Sequence, residues 1–201
     1  LVICDHQASP FHELFKPFEL YIEEEALITK LSTLVTNTFG FAVVSMKHFS
    51  FHLEYNDQIT VVLDGIRDPG NLGTIIRICD WYGINQLVCS KDTTEYYNPK
   101  VISASMGSFH RIKFLYVDLS EFLDQFSRIP MIGASLDGKN VHEYEFPSNG
   151  FVVFGNESEG IRSQVKGALT DLVKIPSWGM AESLNVAISA GIILDNIKRQ
   201  N

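Results

Sequence analysis

The chain has 201 residues, 45% of them hydrophobic and 20% charged, enough for one α/β domain plus a smaller piece, and it holds no low-complexity tract. Its net charge of −8, from 16 basic and 24 acidic side chains, argues against broad affinity for polyanions, so any nucleic-acid contact must be a local, salt-sensitive patch. The best apolar run, VAISAGIIL, falls short of the roughly 18 residues of a membrane span, and the opening LVICDHQASP lacks the basic-then-apolar order of a secretory signal. A soluble protein without a membrane partner is expected, and a start at Leu1 reads as a trimmed chain. Cys4, Cys79 and Cys89 show neither paired nor metal-ligand spacing, which points to a reducing cytoplasm.

Residues 1–53 contain a helix-like EEEALITKLSTLVTN, in which Ala26, Leu27, Leu31 and Leu34 recur at helical spacing, and a strand-like FAVVSM from Phe41 to Met46. So short a segment does not make a self-contained core and reads as the second half of a small α/β domain. HFSFHLEYND (His48 to Asp57) then leads into the main domain, taken as 54–201. His48 and His52 stand at i, i+4, but no third ligand lies near, so no metal is expected.

ITVVLD (Ile59 to Asp64) is an apolar run suited to a central parallel strand. The turn after it has helix-start chemistry, with Asp68 able to cap and Pro69 able to take the first helical position. Leu72, Ile75, Ile76, Cys79 and Tyr82 then share one helix face at spacings of three and four, up to Gly83. Gly70, Gly73 and Arg77 fall along another stripe, and glycines there suggest close approach by backbone or ligand, with Arg77 at the end of a groove or simply solvated.

QLVCS (a strand), NPKVISASMGSFHRI (a helix, then a turn), KFLYV (a strand), DLSEFLDQF (a helix capped by Asp118) and PMIGASL (a strand into a loop) follow. The alternation predicts a layered, mostly parallel sheet with its site at the carboxyl ends of the strands. His110 and Arg111 are candidates for a phosphate contact or for a plain surface role. FVVFGNESEGI (Phe151 to Ile161) is a buried strand that opens at Gly155 into a polar turn. Glu157 is the carboxylate at that strand's end, fit for a functional role, for capping the next helix or for pairing with Arg77. KIPSWGM reads as a strand and loop, and ESLNVAISAGIILDNI as a helix with Ser183 and Asn185 near its start, either as caps or as ligands for a carboxylate or nucleobase edge. That helix is apolar nearly all round, which suggests burial on two sides, one of them by a second subunit.

No GxGxxG follows a strand, and GxxxxGK[ST], the nucleophile elbow and HExxH are absent, so dehydrogenase, P-loop and hydrolase readings are disfavoured. DPGNLGTIIR (Asp68 to Arg77), FGNESEG (Phe154 to Gly160) and IPSWGMAESLNVA (Ile175 to Ala187) closely resemble, in order and spacing, the three motifs of the SpoU or TrmH branch of the SPOUT RNA methyltransferases, and NPKVISASMGS resembles a further segment usual there. The likeness covers about residues 59 to 198, and residues 1–53 look like part of the ribosomal-protein-like substrate-binding domain that often precedes it.

The resemblance implies a Rossmann-like, mostly parallel α/β sheet ending in a C-terminal trefoil knot, an exception to the rule that chains do not thread loops. It implies a homodimer that binds S-adenosylmethionine and methylates a ribose 2′-hydroxyl of structured RNA, whether tRNA or rRNA. Carried over, backbone around Gly155, Ile175 and Leu184 would hold the cofactor, with Ser135, Ser183 and Asn185 nearby, and Asn71, Arg77 and Glu157 would form the catalytic set. Ser158 departs from the glycine that family motifs often carry after the glutamate. The family proposal makes the arginine a general base. A guanidinium stays protonated at neutral pH and makes a poor base, so charge stabilisation or a phosphate contact suits Arg77 better. An inactive RNA-binding protein of the same fold is the alternative.

Overall fold

The computed structural model describes residues 2–4, 15, 17–32, 34–46 and 58–200, and the chain divides into two compact units, Leu1–His48 and Phe49–Asn201. In the first, β1 (Val2–Cys4) pairs in parallel with β2 (Tyr21–Glu23) and antiparallel with β3 (Gly40–Phe41), in the order β2-β1-β3. Helix α1 (Glu25–Leu31) buries Ile28, whereas Leu27, Leu31 and Leu34, the expected inner face, are exposed. It ends early because Asn37 builds a turn instead: its Oδ1 accepts from Phe39 N and Gly40 N, and its amide donates to Ser32 Oγ and Gly40 O. The FAVVSM strand shrinks to its first residue, since among the described residues no strand pairs with the rest, and Val43 and Val44 face solvent. His48 and His52 lie outside the described residues.

The second unit is one parallel sheet of six strands, β6-β5-β4-β8-β7-β9, between helical layers. Its strands are β4 (Ile59–Asp64), β5 (Gln86–Ser90), β6 (Lys113–Val117), β7 (Met131–Asn140), β8 (Gly150–Gly155) and β9 (Asp171–Lys174). The helices are α2 (Pro69–Trp81), α3 (Pro99–Ala104), α4 (Leu119–Asp124), α5 (Ser163–Lys166) and α6 (Val186–Gln200), with a 3₁₀ turn at Ser108–His110. Every residue of β4 is buried, as a central parallel strand covered on both faces must be. One core joins Val61, Leu63, Ile75, Ile76, Val152 and Ile193 on the α2 and α6 side. The other joins Val62, Val88, Phe151, Val153, Leu123 and Val165 on the α4 and α5 side.

The local signals of α2 hold. Asp68 Oδ1 accepts from Asn71 N at 2.8 Å, Pro69 opens the helix, and Leu72, Ile75, Ile76 and Cys79 are buried. Gly73 is a backbone contact: a Cβ there would stand 2.6 Å from both Val101 O and Ala104 Cβ of α3. Two strand ends differ from expectation. β7 does not stop in a loop but runs on to Asn140, with a register shift against β9 between Ala134 and Lys139. Only Lys174 of KIPSWGM is strand; Pro176 cannot donate to a ladder, and Ser177 to Leu184 is an exposed connection.

Candidate active site

Three stretches far apart in sequence meet at the carboxyl end of β8. There the chain leaves Gly155 and doubles back so closely that a Cβ on Gly155 would lie 2.0 Å from the Gly160 carbonyl carbon. The glycine is thus required by the protein's own returning loop, where the sequence suggested a ligand. Asn156, 9% exposed, shapes that loop: its Oδ1 accepts from Ser158 N, Ser158 Oγ and Glu159 N at 2.8–2.9 Å, leaving Glu157 at the tip.

Glu157 neither caps α5 nor pairs with Arg77. Its Oε1 accepts a short hydrogen bond from Asn71 Nδ2. Asn71 Oδ1 accepts in turn from Asn185 Nδ2 at 2.8 Å, and Asn185 Oδ1 accepts from Ala187 N at 2.9 Å and Ile188 N at 3.4 Å. Asn185, rather than Ser183, therefore caps α6. The direction of this relay is fixed from its helical end. Backbone N–H groups only donate, so the Asn185 oxygen must face α6 and its amide must face Asn71. The Asn71 amide is then left to donate to the carboxylate. Two aligned amide dipoles connect the positive end of α6 to Glu157.

Beside the relay lies a cavity of about 560 Å³. Ser135, Gly155, Glu157, Ile175, Ser183 and Leu184 all line it. Phe154, Val173 and Val186 add apolar surface, and Asp137, Glu159 and Glu182 bring the lining carboxylates to four with Glu157. Asn71, Arg77 and Asn185 stand outside the lining, so six of the nine expected site residues share one wall and two more join it through the relay. Arg77 is apart from both: it is exposed on α2, and its side chain has no hydrogen bond or ion pair among the described residues.

A second polar cluster holds the loop from behind. The buried Asp64 accepts from Arg162 N at 2.8 Å and from Arg162 Nε at 2.6 Å, and the same guanidinium reaches both oxygens of Asp92 at 3.1 Å. Burial pushes the Asp92 carboxyl up, but hydrogen bonds from Ser90 and Arg162 leave it below the usual carboxylate range. Sequence reading missed Arg162 and Asn156; an Asn directly after a strand-ending glycine was the available signal for the second. Arg111, a phosphate candidate, is instead forked onto Asp80 through Nε at 2.9 Å and Nη2 at 2.6 Å. Cys79 and Cys89 are buried free thiols; burial pushes Cys79 up to about 12 and Cys89 higher still, so neither is a nucleophile at neutral pH. Among the described residues, no group of three His, Cys, Asp or Glu could hold a metal, and no helix is long and apolar enough to cross a membrane.

A model of the SpoU rRNA Methylase family matches residues 58–195, well over half of the chain. The 23S rRNA (guanosine-2′-O-)-methyltransferase RlmB of Neisseria meningitidis serogroup B is 31% identical over 171 residues, which are 80% of this chain and 68% of that protein. A solved structure of a TrmH-family chain from Porphyromonas gingivalis is 32% identical with a TM-score of 0.76, over 91% of this chain and 75% of that one. An AdoMet-bound rRNA methyltransferase from Sinorhizobium meliloti is 25% identical with a TM-score of 0.77, over 98% and 79%.

Proposed function

The chain belongs to the SpoU rRNA Methylase family, and from that premise we propose that it transfers a methyl group from S-adenosylmethionine to a ribose 2′-hydroxyl of RNA. The substrate named for the Neisseria relative makes ribosomal RNA the preferred target. The observation that carries the reading is the convergence of 68–77, 154–161 and 175–186 on one cavity and one hydrogen-bonded relay.

The cavity's chemistry fits the cofactor. Phe154, Val173, Ile175 and Leu184 offer apolar surface to a nucleobase, and the lining carboxylates suit cationic groups. Backbone at Gly155, Ile175 and Leu184 would hold it, with Ser135 and Ser183 beside them. When bound, S-adenosylmethionine supplies a methyl group on a sulfonium that leaves as a neutral thioether. The protein's own task is to seat a weakly acidic hydroxyl and bear the charge that develops as its proton leaves. Glu157, oriented through Asn71 and Asn185, would accept the hydroxyl's hydrogen bond. Arg77, with its guanidinium unspent, would take the neighbouring phosphate or the developing alkoxide.

The knot and the dimer belong to the same proposal. α6 packs against α2 and touches β8, so the chain returns from the edge strand β9 toward the sheet centre, which supports a threaded 175–185 segment. Trp178, Met180, Leu184 and Ile188 are exposed along that segment and the start of α6, a surface a second copy would cover.

The test is methyl transfer from isotope-labelled S-adenosylmethionine into ribosomal RNA, followed by nuclease digestion and mass spectrometry of the nucleosides. A 2′-O-methylnucleoside is the expected product. A base-methylated product would sink the ribose assignment, and cofactor binding without any product would turn the reading toward an RNA-binding protein of the same fold.

A further inference from the structure

Among the described residues, the cavity lining contains four carboxylates, Asp137, Glu157, Glu159 and Glu182, but one cationic side chain, Lys166. Such a wall is suited to positive groups and hostile to negative ones. S-Adenosylmethionine carries a sulfonium and an ammonium, and also a carboxylate that four acids alone would repel. We propose that Lys166 binds that carboxylate, an assignment that rests on the cofactor reading above.

Two neighbouring cations are already committed to the protein's own acids, and Lys174, between Val173 and Ile175 of the lining, stands outside it. Lys139 Nζ lies 2.5 Å from Asp171 Oδ1, and Arg162 is forked between Asp64 and Asp92. No hydrogen bond or ion pair engages the Lys166 side chain among the described residues. Its backbone, however, is fixed: Lys166 N donates to Arg162 O at 3.0 Å, Leu169 N donates to Lys166 O at 3.2 Å, and the adjacent Val165 is buried in the second core. Lys166 also borders the two shallower grooves that flank the cavity, so it stands on the rim between them. A flexible, well-hydrated point charge at a rim can meet an amino-acid carboxylate without being desolvated.

Isothermal titration calorimetry on the full chain tests this with three ligands: S-adenosylmethionine, S-adenosylhomocysteine and decarboxylated S-adenosylmethionine. Lys166→Met should weaken the two carboxylate-bearing ligands by about fivefold to tenfold and leave the decarboxylated one within about twofold of wild type. Lys166→Arg should restore most of the loss, and the wild-type advantage should shrink as salt rises. Equal losses for all three ligands, or none for any, would overturn the assignment while leaving the cofactor reading intact. Failure of the wild-type chain to bind S-adenosylmethionine at all would instead overturn the cofactor reading, and the Lys166 assignment with it.

Discussion

Arg162 shows how much a single side chain can hold. It ties the loop that carries Glu157 to the ends of β4 and β5 through Asp64 and Asp92, and Asp64 is fully buried. Removing one partner of a buried pair leaves a charge without compensation. Arg162→Met should therefore cost about 3–5 kcal/mol in urea unfolding, and adding Asp64→Asn should recover much of it. A loss below about 1 kcal/mol would show that the pair contributes little to the fold. Arg77 is the opposite case, exposed and without a partner among the described residues. Arg77→Ala should leave stability within about 0.5 kcal/mol, lower the methyl-transfer rate on the order of a hundredfold and barely change S-adenosylmethionine affinity. Equal losses of rate and affinity would remove it from the catalytic set. Arg77 was legible because helical spacing sets it off the core face. Arg162 was not, because its partners lie 98 and 70 residues away and no local pattern links them.

Single elements carry their own tests. In β4 the Thr60 hydroxyl is buried with no hydrogen-bond partner among the described residues. Thr60→Val replaces an orphaned polar atom with a methyl group and should stabilise the protein by about 1 kcal/mol, read as a higher unfolding midpoint. A lower midpoint would mean the hydroxyl matters to packing. Helix α2 is joined to the turn after α3 by Asp80, which binds Arg111 and accepts from Ser108 Oγ at 2.7 Å. The Arg111 hydrogen bond is the main cause holding the Asp80 carboxyl below its ordinary value. A depressed carboxyl contributes stability that is complete above its unfolded pKa of about 3.9 and is lost as pH falls through the lower folded value. The melting-temperature gap between wild type and Asp80→Asn should hold from neutral pH down to about pH 5 and close as the pH falls on through the lowered folded value. A gap that widened on acidification would contradict that sign. Caps and amphipathic faces were legible for α2 and α4 because they act within one turn. For α1 they misled: Ile28, absent from the expected face, is the buried residue, and the Asn37 turn takes over where the apolar pattern suggested more helix.

For the molecule as a whole, the proposed dimer is the nearest question of assembly. Ile188 is 54% exposed on α6 and Trp178 is 87% exposed in the preceding connection, although α6 buries its other face in the core. Light scattering should give a mass of two chains for wild type, and Ile188→Glu should shift it toward one. A wild-type monomer at micromolar concentration would assign this apolar surface to another partner.

The alternation of strands and helices, the caps of α2 and α4, the buried β4 and the order of the three motifs were all determined by sequence alone. Each rests on interactions between residues a few positions apart, or on the period with which apolar side chains recur. The tertiary structure decided what those motifs do to one another. The Glu157 to Asn71 and Asn71 to Asn185 bonds span 86 and 114 residues. It also decided that Asn185 caps a helix and orients the relay outside the cavity lining, that Gly155 makes room for its own loop, and that Arg162 is spent on two aspartates while Lys166 is not. A periodic pattern says which face of an element is inward. Which distant donor meets which acceptor depends on how the strands are ordered in the sheet, and spacing along the chain does not encode that order.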